Sequence, residues 1–129
     1  MIIGFTGSQK GMTTIQFDRL VDLVKELNPT EAHHGDCIGA DTIFHFVCME
    51  LNIPVVLHPP LNDGKRAGCQ DADLVLPRKA YLARNRDIVD ASDELIAVPG
   101  EKTEQLRSGT WATYRYARKN HKTVHLITP

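Results

Sequence analysis

The apolar positions of this chain alternate between short continuous runs and stripes at helical spacing. The run "IIGF" (2–5) closes on glycines and reads as a buried strand. Thr13, with Gln16 three residues on, forms a capping box, and Phe17, Leu20, Val21, Val24 and Leu27 then recur at the spacing of one helix face. "NPT" (28–30) ends that helix, and "EAHH" (31–34) gives a weaker strand signal. Ala40, Ile43, Phe44, Val47, Cys48 and Leu51 form a second helical stripe. "IPVVLH" (53–58) is continuous and β-branched, as a central strand is. Residues 59–77 carry Pro, Gly and Asp without periodicity and predict a long loop. A helix over 78–91, the strand "ELIAVP" (94–99), a loop, a helix opening near Ser108 and the strand "TVHLIT" (123–128) complete the pattern. The β-α alternation predicts a three-layer α/β fold. Its sheet is mostly parallel and five-stranded, in the order 3-2-1-4-5, with helices on both faces.

The bulk numbers narrow the class. A chain of 129 residues is enough for one domain, 1–129, and too short for two independent cores. Hydrophobic residues make up 42% and charged residues 24%, an ordinary globular balance. The net charge of −1 gives no global field toward nucleic acid or anionic membranes. No apolar stretch approaches the ~18–20 residues of a membrane span, and no signal peptide is expected at the N-terminus. Cys37, Cys48 and Cys69 are odd in number and form no CxxC pair, so they read as reduced thiols of a cytoplasmic protein.

In an open parallel sheet, ligands bind beyond the carboxyl ends of the strands where the strand order reverses. For the predicted order that point lies between the first and fourth strands. The loops leaving them contain "TGSQKG" (6–11), with Gly7, Ser8 and Lys10, and "RSGT" (107–110), with Ser108, Gly109 and Thr110. Glycines allow close backbone approach, hydroxyls donate, and a helix N-terminus offers free N–H groups to a phosphate. "HHGDCIGAD" (33–41) belongs to the neighbouring strand. A metal site at His33, His34, Asp36 and Cys37 is disfavoured, because adjacent strand residues point to opposite faces. The competing reading has Gly35 and Gly39 shape an anion-binding turn, Asp36 orient ligand or loop hydroxyls, and Asp41 brace the next helix. No metal or cofactor is expected.

"HGDCIGADTIFHFV" resembles the SGxxxGID-x-x-AH segment of DNA-processing protein A. "RNRDIVDASDELIAV", followed by "RSGTWATYRYARKNHKTVHLI", resembles that family's RNR-x-I element, its SG-x-x-TA loop and the next strand. The LOG family of phosphoribohydrolases shares the ground plan, and both belong to the SLOG superfamily of Rossmann-like nucleotide-binding domains. The resemblance runs from Gly4 to Ile127, apart from 59–77. It implies a pocket for a nucleotide-like, phosphate-bearing ligand at 6–11, 35–41, 84–86 and 108–113, and a homodimer associated through helices near that site. It also places His45 on the family's histidine, where a packing role is expected.

Arg84 and Arg86 lie two apart on a predicted helix, so only one can face a ligand. The resemblance sets this element beside the phosphate, where a guanidinium can grip two oxygens. Asn85 and Tyr81 are candidates for base or ribose contacts. Trp111 and Tyr114 could stack a base or pack in the core, and Lys65 with Arg66 reads as a solvated charge pair. In the LOG pattern PGG-x-GT-x-x-E, aligning Gly109 and Thr110 puts Thr113 where the catalytic glutamate stands, and Pro99-Gly100 with an insertion replaces PGG. N-glycosidic hydrolysis of a nucleoside monophosphate therefore ranks below plain binding. Single-stranded DNA binding ranks lower again, since it needs a basic track and only "RYARK" (115–119) with His121 and Lys122 supplies one.

Overall fold

The computed structural model describes residues 1–129. In chain order the elements are β1 (Ile2–Gly7), α1 (Thr14–Leu27), β2 (Glu31–His34), α2 (Ala40–Glu50), β3 (Val55–Leu57), a 3-10 turn (Asp63–Lys65), β4 (Leu74–Val75), α3 (Tyr81–Ala91), β5 (Glu94–Val98), α4 (Gly109–Lys119) and β6 (Thr123–Leu126). All strand pairs are parallel, in the order β4-β3-β2-β1-β5-β6. This is the expected 3-2-1-4-5 order with one strand more. The addition is β4, inside the segment predicted as loop, where Leu74 and Val75 pair with Val56 and Leu57. Two half-exposed residues at a sheet edge carry no readable period, so the strand count of five is corrected to six.

Helices α1 and α2 cover one face, where Leu20, Val24, Phe44 and Val47 pack with Ile3, Phe5, Ile96 and Val98. Helices α3 and α4 cover the other, around Val89, Leu95 and Ala117. No helix is long and apolar enough to cross a membrane.

The capping box at the start of α1 forms as predicted. The Gln16 amide N–H donates to Thr13 Oγ1 at 3.1 Å, and the Thr13 N–H donates back to Gln16 Oε1 at 2.9 Å. The structure adds a second task. Gln16 is buried, and its side-chain NH2 donates to the carbonyls of Pro99 and Ile127, each at 2.8 Å. One side chain thus ties the first helix to the ends of β5 and β6.

Candidate functional site

A polar recess opens at the carboxyl end of the sheet between β1, the turn after β2, and α3. Among the residues lining it are Gly7, Gln9, Gly35, Cys37, Asp41, Tyr81, Arg84 and Asn85. The expectation placed the ligand between the first and fourth strands; the recess lies on the other side of β1. The reason is α3, which crosses over β1 and β2 and brings Arg84 to the Gly35 turn.

Arg84 is only 3% exposed. Its Nη1 donates to the Gly35 carbonyl at 2.6 Å and the His58 carbonyl at 3.2 Å, and its Nε donates to Asn85 Oδ1 at 2.7 Å. Its Nη2 finds only the Cys37 sulfur, at 3.5 Å. No carboxylate lies within 4.0 Å of the guanidinium, since none of the chain's six ion pairs involves it. A buried cation without a direct ion pair is unusual, because buried charges are normally paired, and the carboxylate that feels it is Asp41, which lines the same recess. Arg86, two positions on, is exposed and lies over the Tyr116 ring at 5.3 Å. With Asn85 and Thr113 it lines a separate groove between α3 and α4.

The two acidic residues of the "GDCIGAD" turn divide. Asp41 lines the recess, and its Oδ2 accepts the Cys37 N–H at 3.1 Å. Burial pushes its carboxyl up to about 6, against the opposing pull of Arg84 and of the Cys37 and Gly35 amides. Asp36 is fully buried and anchors the long loop instead: Oδ1 accepts the Cys69 N–H at 2.8 Å, and Oδ2 faces Arg66 Nε at 3.3 Å. Its expected role in orienting ligand hydroxyls gives way to that anchoring, and Arg66 is not the solvated charge expected.

The turn also keeps its amides for the protein. Asp36 N–H goes to His34 Nδ1, Ile38 N–H to the Lys65 carbonyl and Ala40 N–H to the Ser8 carbonyl. Gly39, at φ +92°, sits with its Cα against the Gln9 backbone, where a side chain would overlap the main chain. The turn is therefore a clamp between β1 and α2, and a buried cation, Arg84, stands against it. Ser8 Oγ accepts the Lys10 N–H at 3.1 Å, while the Lys10 side chain is exposed and lines neither the recess nor the cleft beside it.

The α4 loop does not reach the recess directly. Ser108 caps α4, its Oγ accepting the Trp111 N–H at 3.3 Å, and Thr110 and Thr113 are buried, Thr113 Oγ1 donating to the Gly109 carbonyl at 2.8 Å. Tyr81 makes the connection: its hydroxyl rests where a Gly109 side chain would be. Gly109→Ala is expected to push Tyr81 off the mouth of the recess while shifting stability by only about 1 kcal/mol, because Tyr81 is 43% exposed and free to swing. A crystal structure of that variant checks it; an unmoved Tyr81 refutes it. Trp111 packs rather than stacks a ligand, 3% exposed, with its indole N–H on Glu101 at 3.0 Å.

Volume decides what can enter. The recess holds about 20 Å³, room for a single water-sized group. Adjoining it is a cleft of about 410 Å³ between the loop residues Pro60, Leu61, Asn62 and Lys65 and the start of α3. The two share Gln9, Cys37 and Tyr81. The cleft is of ligand size. Sequence reasoning missed it because its wall comes from the segment without periodicity.

His33 and His34 point to opposite faces, as strand geometry requires. His33 joins Glu31 at 2.7 Å and His58 at 2.8 Å. His34 Nε2 meets His45 Nδ1 at 2.9 Å, and His45 Nε2 meets the Gln70 carbonyl at 2.7 Å, so His45 has the packing role expected of it. With Cys69 these two histidines place three metal-type donor atoms within 4.8 Å of one another. The Asp36 N–H, however, makes His34 Nδ1 an acceptor. That leaves the proton on Nε2, which donates to His45, and a metal at that nitrogen would have to displace it. The group is set as a hydrogen-bonded relay. Burial holds both Cys37 and Cys69 thiols above their ordinary range, so neither is a ready thiolate.

No protein-family model matches this sequence, and no protein of curated function matches it. Solved structures do. The X-ray structure of TM1055, a structural-genomics target, is 16% identical with a TM-score of 0.64, over 95% of this chain and 71% of that one. The Moco carrier protein from Chlamydomonas reinhardtii is 22% identical with a TM-score of 0.74, over 99% and 76%. DNA processing protein A from Helicobacter pylori, described for its binding of single-stranded DNA, is 18% identical with a TM-score of 0.69, over 98% of this chain and 64% of its own. The chain shares the Rossmann-like α/β fold of these proteins, and at such identities the likeness is one of fold.

Proposed function

We propose that the chain binds a phosphate-bearing nucleotide or close derivative, with one phosphate oxygen in the recess at Arg84 and the nucleoside part in the adjoining cleft. The observation that carries this reading is the buried guanidinium that makes no direct ion pair and whose Nη2 meets only a sulfur, at a recess one oxygen wide. An anion there pairs directly with the guanidinium, and the Arg84 Nη2 has a donor to give it. Lys65 and Asn62 stand at the cleft wall for the rest of the ligand. A carrier among the structural neighbours is a precedent for holding a ligand in this fold.

Hydrolysis has less support. Of the carboxylates that could replace the missing glutamate, Glu104 is paired with Arg115 at 2.8 Å outside the recess, and Asp36 holds the loop. A basic track for DNA is also weak, because Arg115 serves Glu104 and two loop carbonyls, and Lys122 serves the Ser92 carbonyl.

A thermal-shift titration with AMP, ADP-ribose, NAD, cyclic nucleotides and a short single-stranded oligonucleotide tests the proposal. A ligand that binds only the folded state stabilises by about 2.7 kcal/mol at a hundredfold excess over Kd. A phosphate-bearing mononucleotide is expected to raise Tm in the wild type and to lose at least about tenfold in affinity with Arg84→Lys, which keeps the charge but not the fork. An equal response in the folded Arg84→Lys variant removes Arg84 from the site, and a response to the oligonucleotide alone moves the function to DNA.

A further inference from the structure

Helices α1 and α2 are successive crossovers on one face of a parallel sheet, so they lie side by side and run in the same direction. Their outer surfaces leave a groove of about 560 Å³ lined by Phe17, Val21, Ile43 and Val47. Phe46, at its edge, is 63% exposed, and Ile15 on α1 is 62% exposed. A contiguous apolar strip facing water marks a contact surface. The groove is lined by two charged residues, Lys25 in the last turn of α1 and Glu50 at the end of α2. Neither takes part in any ion pair of the chain.

We propose that a second copy of the chain covers this groove, in a two-fold dimer whose axis runs parallel to the two helices. Rotation about that axis exchanges left and right but preserves height along the helix. Each α1 then lies on the α2 of the other copy, and Lys25 of each copy faces Glu50 of the other, twice, at the end of an apolar seam. An in-plane axis perpendicular to the helices would set Glu50 over Ala40–Ile43 of the other copy, where no cation stands. The charges select the parallel axis. Such an interface is isologous and closes on itself. It uses no residue of the recess, so it stands or falls apart from the ligand reading.

Sedimentation velocity up to about 100 µM tests it. The wild type is expected to sediment as a dimer. Phe46→Glu is expected to weaken association at least about thirtyfold, with an unchanged Tm as the sign that the exposed position has not disturbed the fold. Lys25→Glu alone is expected to weaken the dimer by setting two carboxylates against each other, and Lys25→Glu combined with Glu50→Lys to restore it. A monomeric wild type at every concentration, or an undiminished dimer in Phe46→Glu, overturns the interface. Failure of the charge exchange to restore association overturns the axis.

Discussion

Arg84→Ala is expected to destabilise the fold by about 3–5 kcal/mol as well as to abolish anion binding. The guanidinium satisfies the Gly35 and His58 carbonyls and the Asn85 side chain, all in a buried setting. Alanine leaves those three acceptors without a donor and opens a cavity at the junction of β2, β3 and α3. Each unpaired buried polar group costs about 1–3 kcal/mol, and the cavity adds its own penalty. Position on a predicted helix suggests instead that this alanine removes binding and spares the fold. The buried geometry argues the other way, because the side chain proposed to meet the anion is also a strut. Equilibrium urea unfolding of the two proteins measures the difference. A loss under about 1 kcal/mol would show that Arg84 is not the strut described.

Stability is expected to fall as pH drops from about 7 to 4, with the buried histidines as a principal cause. Burial lowers His34 well below its usual value, and it lowers His58 from 6.5 to about 4. The folded state therefore holds both neutral, while the unfolded chain takes up protons near 6.5. Their contribution is intact above 6.5 and is lost as pH falls toward 4. For His58 the separation corresponds to at most about 3 kcal/mol. Asp41 acts in the opposite sense. Its folded value is raised from 3.8 to about 6, so its burial penalty is present above 6 and disappears as pH falls through that window. Two variants separate these effects. His58→Gln keeps a donor toward His33 and is expected to flatten the acid loss, whereas Asp41→Asn is expected to steepen it. Urea midpoints across this pH range provide the measurement, and identical pH profiles for wild type and His58→Gln would discard the histidine account.

Much of the fold was legible because it is written in local periods. The stripe of Leu20 and Val24, the capping pair Thr13 and Gln16, and the continuous β3 run are each contained within a few residues. The alternation of these elements implied the sheet order. β4 was not legible, since two residues have no period and its pairing with β3 spans a loop. The site was legible in part. Helical spacing says that Arg84 and Arg86 diverge, but which one is buried depends on α3 crossing over β1, a tertiary fact. The fate of Asp36 was hidden for the same reason, because its partners Arg66 and Cys69 lie in a segment with no pattern to place it. The amides of the 35–41 turn looked free in sequence because their acceptors, on Ser8, Lys65 and His34, come mostly from other parts of the chain.

The double duty of Gln16 has a consequence for how the chain matures. Its side chain joins partners 83 and 111 positions downstream. Contacts of that span are slow to form, since loop-closure entropy must be overcome first. The first helix can wind early, yet its cap network stays incomplete until residue 127 has been synthesised and β6 has docked. An emerging N-terminal portion therefore lacks the two hydrogen bonds that tie α1 to the ends of β5 and β6. The tie between the first helix and the ends of β5 and β6 is expected among the last contacts to form.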